Sequence, residues 1–199
     1  MALEIEIKLR VDDLAEVRRR LVAAGARPGG ARLEVNTFLD TPDNRLQKEG
    51  SGLRVRRCRE VESGALACVI TFKGPKQAGG MKTREENEFG VESYDAAVVL
   101  LGQLGYAVKL SFEKRREIWD LGGCEVVLDE LPEDLGRFVE IEGPNEEVIR
   151  AVQVRLGLDG AKVEQAGYAV LVAGRLAGSG RTELGFGDGD QMSKYMQNS

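Results

Sequence analysis

Two carboxylates and an ammonium group recur at alternate positions near the start of the sequence. Glu4, Glu6 and Lys8 alternate with apolar residues, namely Leu3, Ile5, Ile7 and Leu9. Such alternation is typical of a β-strand with one charged and one apolar face, so the three charged side chains point the same way. Neighbours on one face of a strand lie about 6.6–7 Å apart, close enough for one hydrated metal ion or phosphate chain to engage both. An edge strand wetted by solvent would show the same pattern, so the later strands must decide.

Later segments repeat this alternation with charged residues of both signs. The basic residues are Arg54, Arg56, Lys73, Lys114 and Arg116, and the acidic ones are Glu86, Glu88, Asp129, Glu140 and Glu142. Planar guanidinium groups suit phosphate, whereas clustered carboxylates suit Mg²⁺ or Mn²⁺, which take hard oxygen ligands. A face that carries both kinds of residue predicts a site for a metal-bridged polyphosphate. The alternative is an open sheet with exposed ion pairs, each contributing about 0–1 kcal/mol to stability.

The composition restricts the chemistry further. The 199 residues include no histidine, which excludes histidine bases, histidine-activated nucleophiles and imidazole zinc sites. The three cysteines, Cys58, Cys68 and Cys124, lack CxxC spacing, which argues against a disulfide framework and a thiolate metal site. The net charge is −5, so neither nucleic acid nor a membrane is an expected partner. The chemistry is therefore expected from carboxylates, lysine, arginine and a hard cation.

About eight strands and three or four helices are predicted from the periodicity and the turn residues. The class is α+β with a mainly antiparallel sheet, and the predicted helix N-caps are Asp12 or Asp13, Ser93 and Asn145. A turn is predicted at 28–30, a strand over 33–39 and a last helix over 164–176. If the sheet closes into a barrel, the helices pack outside and the charged face lines a water-filled lumen, because buried unpaired ions cost several kcal/mol each.

The chain is expected to form one domain over residues 1–177. From Gly178 onward, Gly, Ser and Asp dominate and the periodicity disappears, so residues 178–199 are predicted to be a tail without a fixed fold. The sequence opens with no signal-peptide pattern, and no apolar run approaches the roughly 20 residues that a membrane span needs. A cytoplasmic location is therefore expected.

The charged motifs, in their order along the chain, resemble those of the CYTH family, the triphosphate tunnel metalloenzymes. They are Glu4-x-Glu6-x-Lys8, Leu53-Arg54-Val55-Arg56, Thr71-Phe72-Lys73-Gly74, Arg84-Glu85-Glu86, Lys114-Arg115-Arg116, Leu128-Asp129-Glu130 and the stretch 136–143. The resemblance extends from residue 1 to about residue 177. It implies an eight-stranded antiparallel closed β-barrel, the triphosphate tunnel, with helices packed outside.

The resemblance also implies roles for single residues. Phosphate oxygens would be bound by Lys8, Arg54, Arg56, Lys73, Lys114 and Arg116. A divalent cation, Mg²⁺ or Mn²⁺, would be bound by Glu4, Glu6, Asp129, Glu140 and Glu142. Of these residues, Glu4, Glu6, Lys8 and Lys73 are predicted to be catalytic, and Glu86 and Glu88 to be further acids of the tunnel. Relatives often have Ser-Tyr where this sequence has Gly167-Tyr168, which leaves the contribution of the last helix open.

Members of the CYTH family divide among thiamine triphosphatases, inorganic tripolyphosphatases and class IV adenylyl cyclases. We expect a metal-dependent phosphohydrolase that acts on a small-molecule triphosphate, as a monomer or a homodimer. Cyclisation of ATP would require a nucleoside pocket in addition, and the sequence contains no motif for adenine recognition. An adenylyl cyclase is therefore the first alternative, and a non-catalytic sensor of polyphosphate or nucleotide is the second.

Overall fold

The computed structural model describes residues 2–75 and 82–187, with side chains over 5–75 and 85–187. The strands within these ranges are β1 Ala2–Val11, β2 Arg27–Asp40, β3 Gly52–Glu60, β4 Leu66–Lys73, β5 Lys82–Val91, β6 Ala107–Leu121, β7 Cys124–Leu131, β8 Gly136–Glu142, β9 Lys162–Val163 and β10 Glu183–Leu184. The helices are α1 Leu14–Ala23, α2 Arg45–Lys48, α3 Tyr94–Gln103, α4 Glu146–Arg155 and α5 Tyr168–Leu176.

The ten described strands form one sheet, which is antiparallel except for the pairing of β10 with β6. Their order is β10-β6-β2-β3-β4-β5-β1-β8-β7, β6 pairs in addition with β7, and β9 pairs with β1. The predicted α+β class with a mainly antiparallel sheet is confirmed. The predicted eight-stranded closed barrel is wrong in its strand number, because β9 and β10 join the sheet. Each of these has only two residues, too few to produce a detectable alternation.

The apolar face of β1 is buried under two helices. Ile7 and Leu9 belong to one cluster with Leu21 of α1 and Ile149 of α4, and all four are 0–5% exposed. Burying one such side chain stabilises the fold by about 1.5–3 kcal/mol. Lys8 is on the opposite face of the same strand. The packing of α1 and α4 therefore determines which face of β1 is left for the charged residues.

Three helices begin at the capping residues that the sequence predicts. The side chains of Asp13, Ser93 and Asn145 accept hydrogen bonds from backbone N–H groups at the start of α1, α3 and α4, respectively. These bonds satisfy donors that have no partner within a helix, so the start of each helix is determined locally. Over the described part of the chain, no helix combines the length and the apolar character needed to cross a membrane.

Two elements differ from the prediction. β2 begins at Arg27, and the predicted turn at 28–30 is part of it, with a shift of register between Pro28 and Gly30. Such an irregularity accommodates proline, which cannot donate a hydrogen bond to a neighbouring strand. The last helix begins at Tyr168 rather than at 164. Lys162–Val163 pair with β1 as β9, and the residues between β9 and Tyr168 form the connection to the helix.

The chain returns to the sheet after α5. Glu183 and Leu184 pair with Ser111 and Phe112 of β6, and Leu184 is 1% exposed in an apolar cluster that includes Leu176. The prediction that 178–199 lacks a fixed fold is therefore wrong for this segment, and residues 188–199 lie outside the described range. One buried leucine in an aperiodic segment gives no sequence signal, because its partners belong to other elements.

Deleting residues 178–199 is expected to lower the melting temperature, because the deletion removes Leu184 from its cluster. Loss of a buried leucine side chain costs about 2–5 kcal/mol, which corresponds to roughly 4–20 °C in a chain of this size. Thermal unfolding of a variant that ends at Ala177 measures the effect. A variant that ends at Gly187 is the control, since it keeps β10. Equal melting temperatures for the full chain and both variants would contradict the prediction.

Candidate functional site

A cavity of about 1180 Å³ is lined by the charged faces of the strands. Most of the predicted site residues line it, namely Glu6, Lys8, Arg54, Arg56, Lys73, Glu86, Glu88, Lys114, Arg116, Glu140 and Glu142. Asp129 is fully buried and bonded to two of these residues, Lys114 and Arg116. Glu4 is in β1, where its backbone pairs with Arg84 of β5, but its side chain lies outside the described range.

Arg116 joins two carboxylates that were predicted to bind a metal. Its Nε and Nη2 donate to Asp129 at 2.8 and 2.6 Å, and Nη2 also donates to Glu140 at 2.6 Å. The register of β6 with β7 places Arg116 opposite Asp129. Burial lowers the pKa of Arg116, but the negative charges of Asp129 and Glu34 have the larger opposite effect. They hold the pKa of Arg116 well above its usual value. The guanidinium group therefore stays charged and keeps Asp129 as its counter-ion.

Two buried lysines lie against one tyrosine ring. The Nζ atoms of Lys8 and Lys114 are 3.6 and 5.0 Å from the centroid of the Tyr168 ring. Lys8 also pairs with Glu140, and Lys114 with Asp129, both at 3.2 Å. The Tyr168 hydroxyl donates to Asp129 at 2.8 Å. Burial and the charge of Asp129 hold the pKa of Tyr168 well above its usual value, so the phenol remains a donor.

Glu34 is a fully buried carboxylate among cations, and the sequence analysis missed it. Its oxygens lie 2.8 Å from Arg32 Nε, 3.4 Å from Arg56 Nη1 and 3.2 Å from Lys114 Nζ. Burial would raise the pKa of Glu34, but Lys114, Arg116 and Arg56 together hold it well below its usual value. Glu34 is therefore ionised, and it anchors three bases that line the cavity.

A sequence signal for this part of the site existed. Arg32, Glu34 and Asn36 alternate in β2 with Leu33 and Val35, as the charged residues of β1 do with their apolar neighbours. The turn residues at 28–30 place the predicted start of the strand at residue 33, so the alternation that begins at Arg32 falls partly outside the predicted strand. Arg32 lines the cavity, so it is a further basic residue that sequence reasoning missed.

Arg54 and Arg56 are on the same wall of the cavity, as their spacing predicts. Arg54 donates to Thr71 at 3.2 Å, and Arg56 pairs with Glu88 at 3.3 Å. Burial and the neighbouring Arg56 lower the pKa of Arg54 to about 10, which leaves it charged at neutral pH. The buried Nε atoms of both arginines have no hydrogen-bond partner within the described part of the chain.

Lys73 and Glu86 face each other across β4 and β5 and form an ion pair on the cavity wall. Their side chains are 14% and 15% exposed, so the pair is largely shielded from water. A phosphate group that binds Lys73 must therefore compete with Glu86 for the ammonium.

Carboxylates lie side by side where β1, β8 and β7 meet. Glu6 is in register with Glu142, which is in register with Glu125, and all three line the cavity. Carboxylate oxygens are the ligands that Mg²⁺ and Mn²⁺ prefer, so this wall fits a hard cation in ligand type. Among the described side chains, no three His, Cys, Asp or Glu residues are close enough to hold a metal ion together. A metal here would thus need Glu4, water or substrate oxygens as well.

One end of the cavity is apolar. It is lined by Phe38, Leu110 and Phe112 from the sheet and by Ala169, Ala173 and Leu176 from α5. The rings of Phe38 and Phe112 stack nearly parallel, with an interplanar angle of 11° and centroids 5.9 Å apart. These residues come from three segments that are distant in sequence, so no local sequence motif predicts this apolar end.

Known proteins with similar sequences or structures share one family. Residues 2–153 match the CYTH domain. Adenylate cyclase CyaB of Aeromonas hydrophila is 28% identical over 181 residues, which cover 84% of this chain and 87% of that protein. The structure of PH1819 from Pyrococcus horikoshii has a TM-score of 0.75 at 26% identity and covers 86% of this chain and 99% of its own.

A more distant structure has the same fold. HpAC1 from Hippeastrum, a protein with a dominant triphosphatase activity, has a TM-score of 0.66 at 20% identity and covers 86% of this chain and 96% of its own. At this identity the likeness concerns the fold alone. The match to the CYTH domain, in contrast, spans most of the chain and includes the charged strands that line the cavity. The chain therefore belongs to the CYTH family.

Proposed function

We propose that this protein is a divalent-metal-dependent triphosphatase that cleaves a linear triphosphate inside the charged cavity. The observation that carries the proposal is the group of basic residues on the cavity wall, which includes Lys8, Arg32, Arg54, Arg56, Lys73, Lys114 and Arg116. Guanidinium and ammonium groups at this density suit a chain of phosphates. Membership in the CYTH family, whose enzymes depend on a metal, supports the proposal.

The sheet is proposed to close around the cavity as a tunnel. β6 pairs with β2 and with β7, so that each of the eight long strands has two hydrogen-bonded neighbours among the other seven. A closed wall surrounds a bound chain of phosphates with bases and acids at set distances, which favours a defined orientation of the reacting phosphorus.

In this proposal, the bases orient the triphosphate and the acids activate water. Lys8, Arg54 and Lys73 are among the basic residues that bind the phosphate oxygens. Glu6, Glu140 and Glu142, which line the cavity, and Glu4 are the proposed metal ligands, whereas Asp129 remains the counter-ion of Arg116. A bound Mg²⁺ or Mn²⁺ would neutralise charge on the phosphate oxygens. A water held by a carboxylate would attack the terminal phosphorus in line and give up its proton to that carboxylate. The bridging P–O bond would break with the diphosphate portion as the leaving group, so that the attacked phosphoryl group is released as orthophosphate.

A panel of substrates and metals tests the proposed function. Tripolyphosphate, thiamine triphosphate and ATP are each incubated with Mg²⁺ and with Mn²⁺, and orthophosphate, pyrophosphate and cyclic AMP are measured separately. Orthophosphate release from at least one linear triphosphate is the expected result. Binding of triphosphates without any turnover would overturn the hydrolase proposal in favour of a non-catalytic sensor.

A class IV adenylyl cyclase is the second candidate, and the apolar end of the cavity favours it. The half-buried ring of Phe38, stacked on the buried ring of Phe112, lines this end, and a nucleobase could pack against it. In that reaction the ribose 3′-hydroxyl attacks the α-phosphorus and pyrophosphate leaves, with CyaB as the relative that carries the name of this activity. Cyclic AMP and an equal amount of pyrophosphate as the main products from ATP would establish the cyclase instead.

Replacing Arg54 by methionine is expected to weaken tripolyphosphate binding by roughly 10–150-fold. The substitution removes one charge-assisted contact, worth about 1.5–3 kcal/mol, from the cavity wall. Calorimetric titration measures the dissociation constant. Arg57→Met is the matched control, because the Arg57 guanidinium lies 5.2 Å from the ring of Tyr94, the first residue of α3, rather than in the cavity. A similar loss in both variants would contradict this assignment of the strand faces.

A further inference from the structure

Tyr168 reaches the charged cavity from outside the region that matches the CYTH domain, which ends at residue 153. It is the first residue of α5, and the helix is anchored by Val172 and Leu176, which are 0% and 5% exposed in an apolar cluster. The segment that follows the matched region therefore supplies a side chain to the centre of the proposed site.

We propose that Tyr168 is a positioning residue that holds Lys8 and Lys114 in place for phosphate binding. The inference rests on the proposed function, because it takes the partner of the two lysines to be a triphosphate. An aromatic face attracts an ammonium group without neutralising it, whereas a carboxylate partner competes with phosphate for the same charge. The ring, 3.6 and 5.0 Å from the two Nζ atoms, thus orients the lysines beside their carboxylate partners without adding a further negative charge that would compete with phosphate.

The ring itself is held from two sides. Its hydroxyl donates to Asp129 at 2.8 Å, and Asp129 is in turn held by two hydrogen bonds from Arg116. The ring also packs edge-on against Phe138, with centroids 5.2 Å apart and an interplanar angle of 69°. A ring fixed at its hydroxyl and along its side is rigid enough to define where an ammonium group can sit.

The residues just before Tyr168 wrap around Lys8 as well. The Nζ of Lys8 donates to the carbonyl oxygen of Ala166 at 3.4 Å, and the backbone N–H of Glu164 donates to the carbonyl oxygen of Lys8 at 2.8 Å. Glu164 also pairs with Arg10, two residues further along β1, at 3.5 Å. Lys8 is therefore oriented by the segment 164–168 in addition to its carboxylate partner Glu140.

Calorimetric titration of the full chain with tripolyphosphate, with and without Mg²⁺, tests this role. Tyr168→Leu is expected to raise the dissociation constant about tenfold, the size expected for losing the ring contacts of two lysines. Tyr168→Phe keeps the ring and is expected to stay within about twofold of the wild type. Val172→Ala is the matched control on the same helix, because it loosens the packing of α5 without contacting either lysine. It should lower the melting temperature while leaving the dissociation constant within about twofold.

A second set of variants separates positioning from a general loss of structure. In a chain that carries Lys8→Gln and Lys114→Gln, adding Tyr168→Leu should not weaken tripolyphosphate binding further, because the lysines it positions are gone. An additional tenfold loss there, or an equal loss in Val172→Ala, would overturn the proposal. A wild-type chain that binds tripolyphosphate no better than Tyr168→Leu would also overturn it while leaving the proposed function standing. A wild-type chain that binds no triphosphate at all would overturn both.

Discussion

Dialysis against a chelator is expected to abolish phosphate release from tripolyphosphate while leaving the protein folded. Glu6, Glu140 and Glu142 line the cavity, and without a cation their charge repels the substrate. Metal ions contribute several kcal/mol to such reactions, so the expected loss is roughly a thousandfold or more. Phosphate release and the melting temperature are measured before dialysis, after it, and after adding back Mg²⁺ or Mn²⁺. Full turnover in excess chelator would refute metal dependence.

Glu6→Gln should reproduce part of this loss without removing the metal from solution. The amide keeps the shape of the side chain but not its charge, so we expect a rate about a hundredfold lower and a higher metal concentration for half-maximal rate. Glu117→Gln is the matched control, because Glu117 pairs with Arg18 of α1 rather than lining the cavity. Equal rates for Glu6→Gln and the control would argue against a role for Glu6.

Replacing Glu34 by glutamine is expected to lower the free energy of unfolding by about 3–5 kcal/mol. The side chain is fully buried and pairs with Arg32, Arg56 and Lys114. Removing one partner from a buried ion-pair network leaves the others uncompensated, which is the costly case for buried charges. Urea unfolding at neutral pH measures the difference. Glu117→Gln is again the control, because a partly exposed pair contributes only about 0–1 kcal/mol.

The effect of Glu34 should depend on pH in a defined direction. Burial would raise the pKa of Glu34, but Lys114, Arg116, Arg56 and Arg32 together hold it in the folded protein well below the unfolded value of 4.5. A carboxyl group with a lowered folded pKa contributes stability that is fully present above the unfolded pKa and is lost as the pH falls through the folded pKa. The stability difference between the wild type and Glu34→Gln should therefore shrink below pH 4.5. A constant difference down to strongly acidic pH would show that the charge of Glu34 is not the source of its contribution to stability.

Much of the cavity wall could be predicted from the sequence because alternation is a local property of a strand. Arg54 and Arg56 line the cavity, as do Lys114 and Arg116, because residues two apart share a face wherever the strand is placed. The CYTH family was likewise predicted from ordered motifs and is confirmed by the match over residues 2–153. The roles of the single residues, including metal binding by Asp129, stay predictions.

The residues that were missed depend on contacts between distant segments. Glu34 forms an ion pair with Lys114, which lies opposite it only because of the register of β2 with β6. Tyr168 meets Lys8 across 160 positions of sequence, and Leu184 is buried only because β10 lies along β6. No local pattern encodes such neighbours, since each depends on where another element packs.

The sequence by itself determined the class of the fold and the charged faces of β1, β3 and β6, because these follow from residue types and a period of two, and the order of its motifs determined the family. Only the tertiary structure decided how the charges are paired, that Glu34 lies among the bases, and that α5 brings Tyr168 to the lysines. The physical reason is that an ion pair or a ring contact depends on distances of a few ångströms between strands and helices. Those distances are set by the packing of the whole chain and not by any one segment.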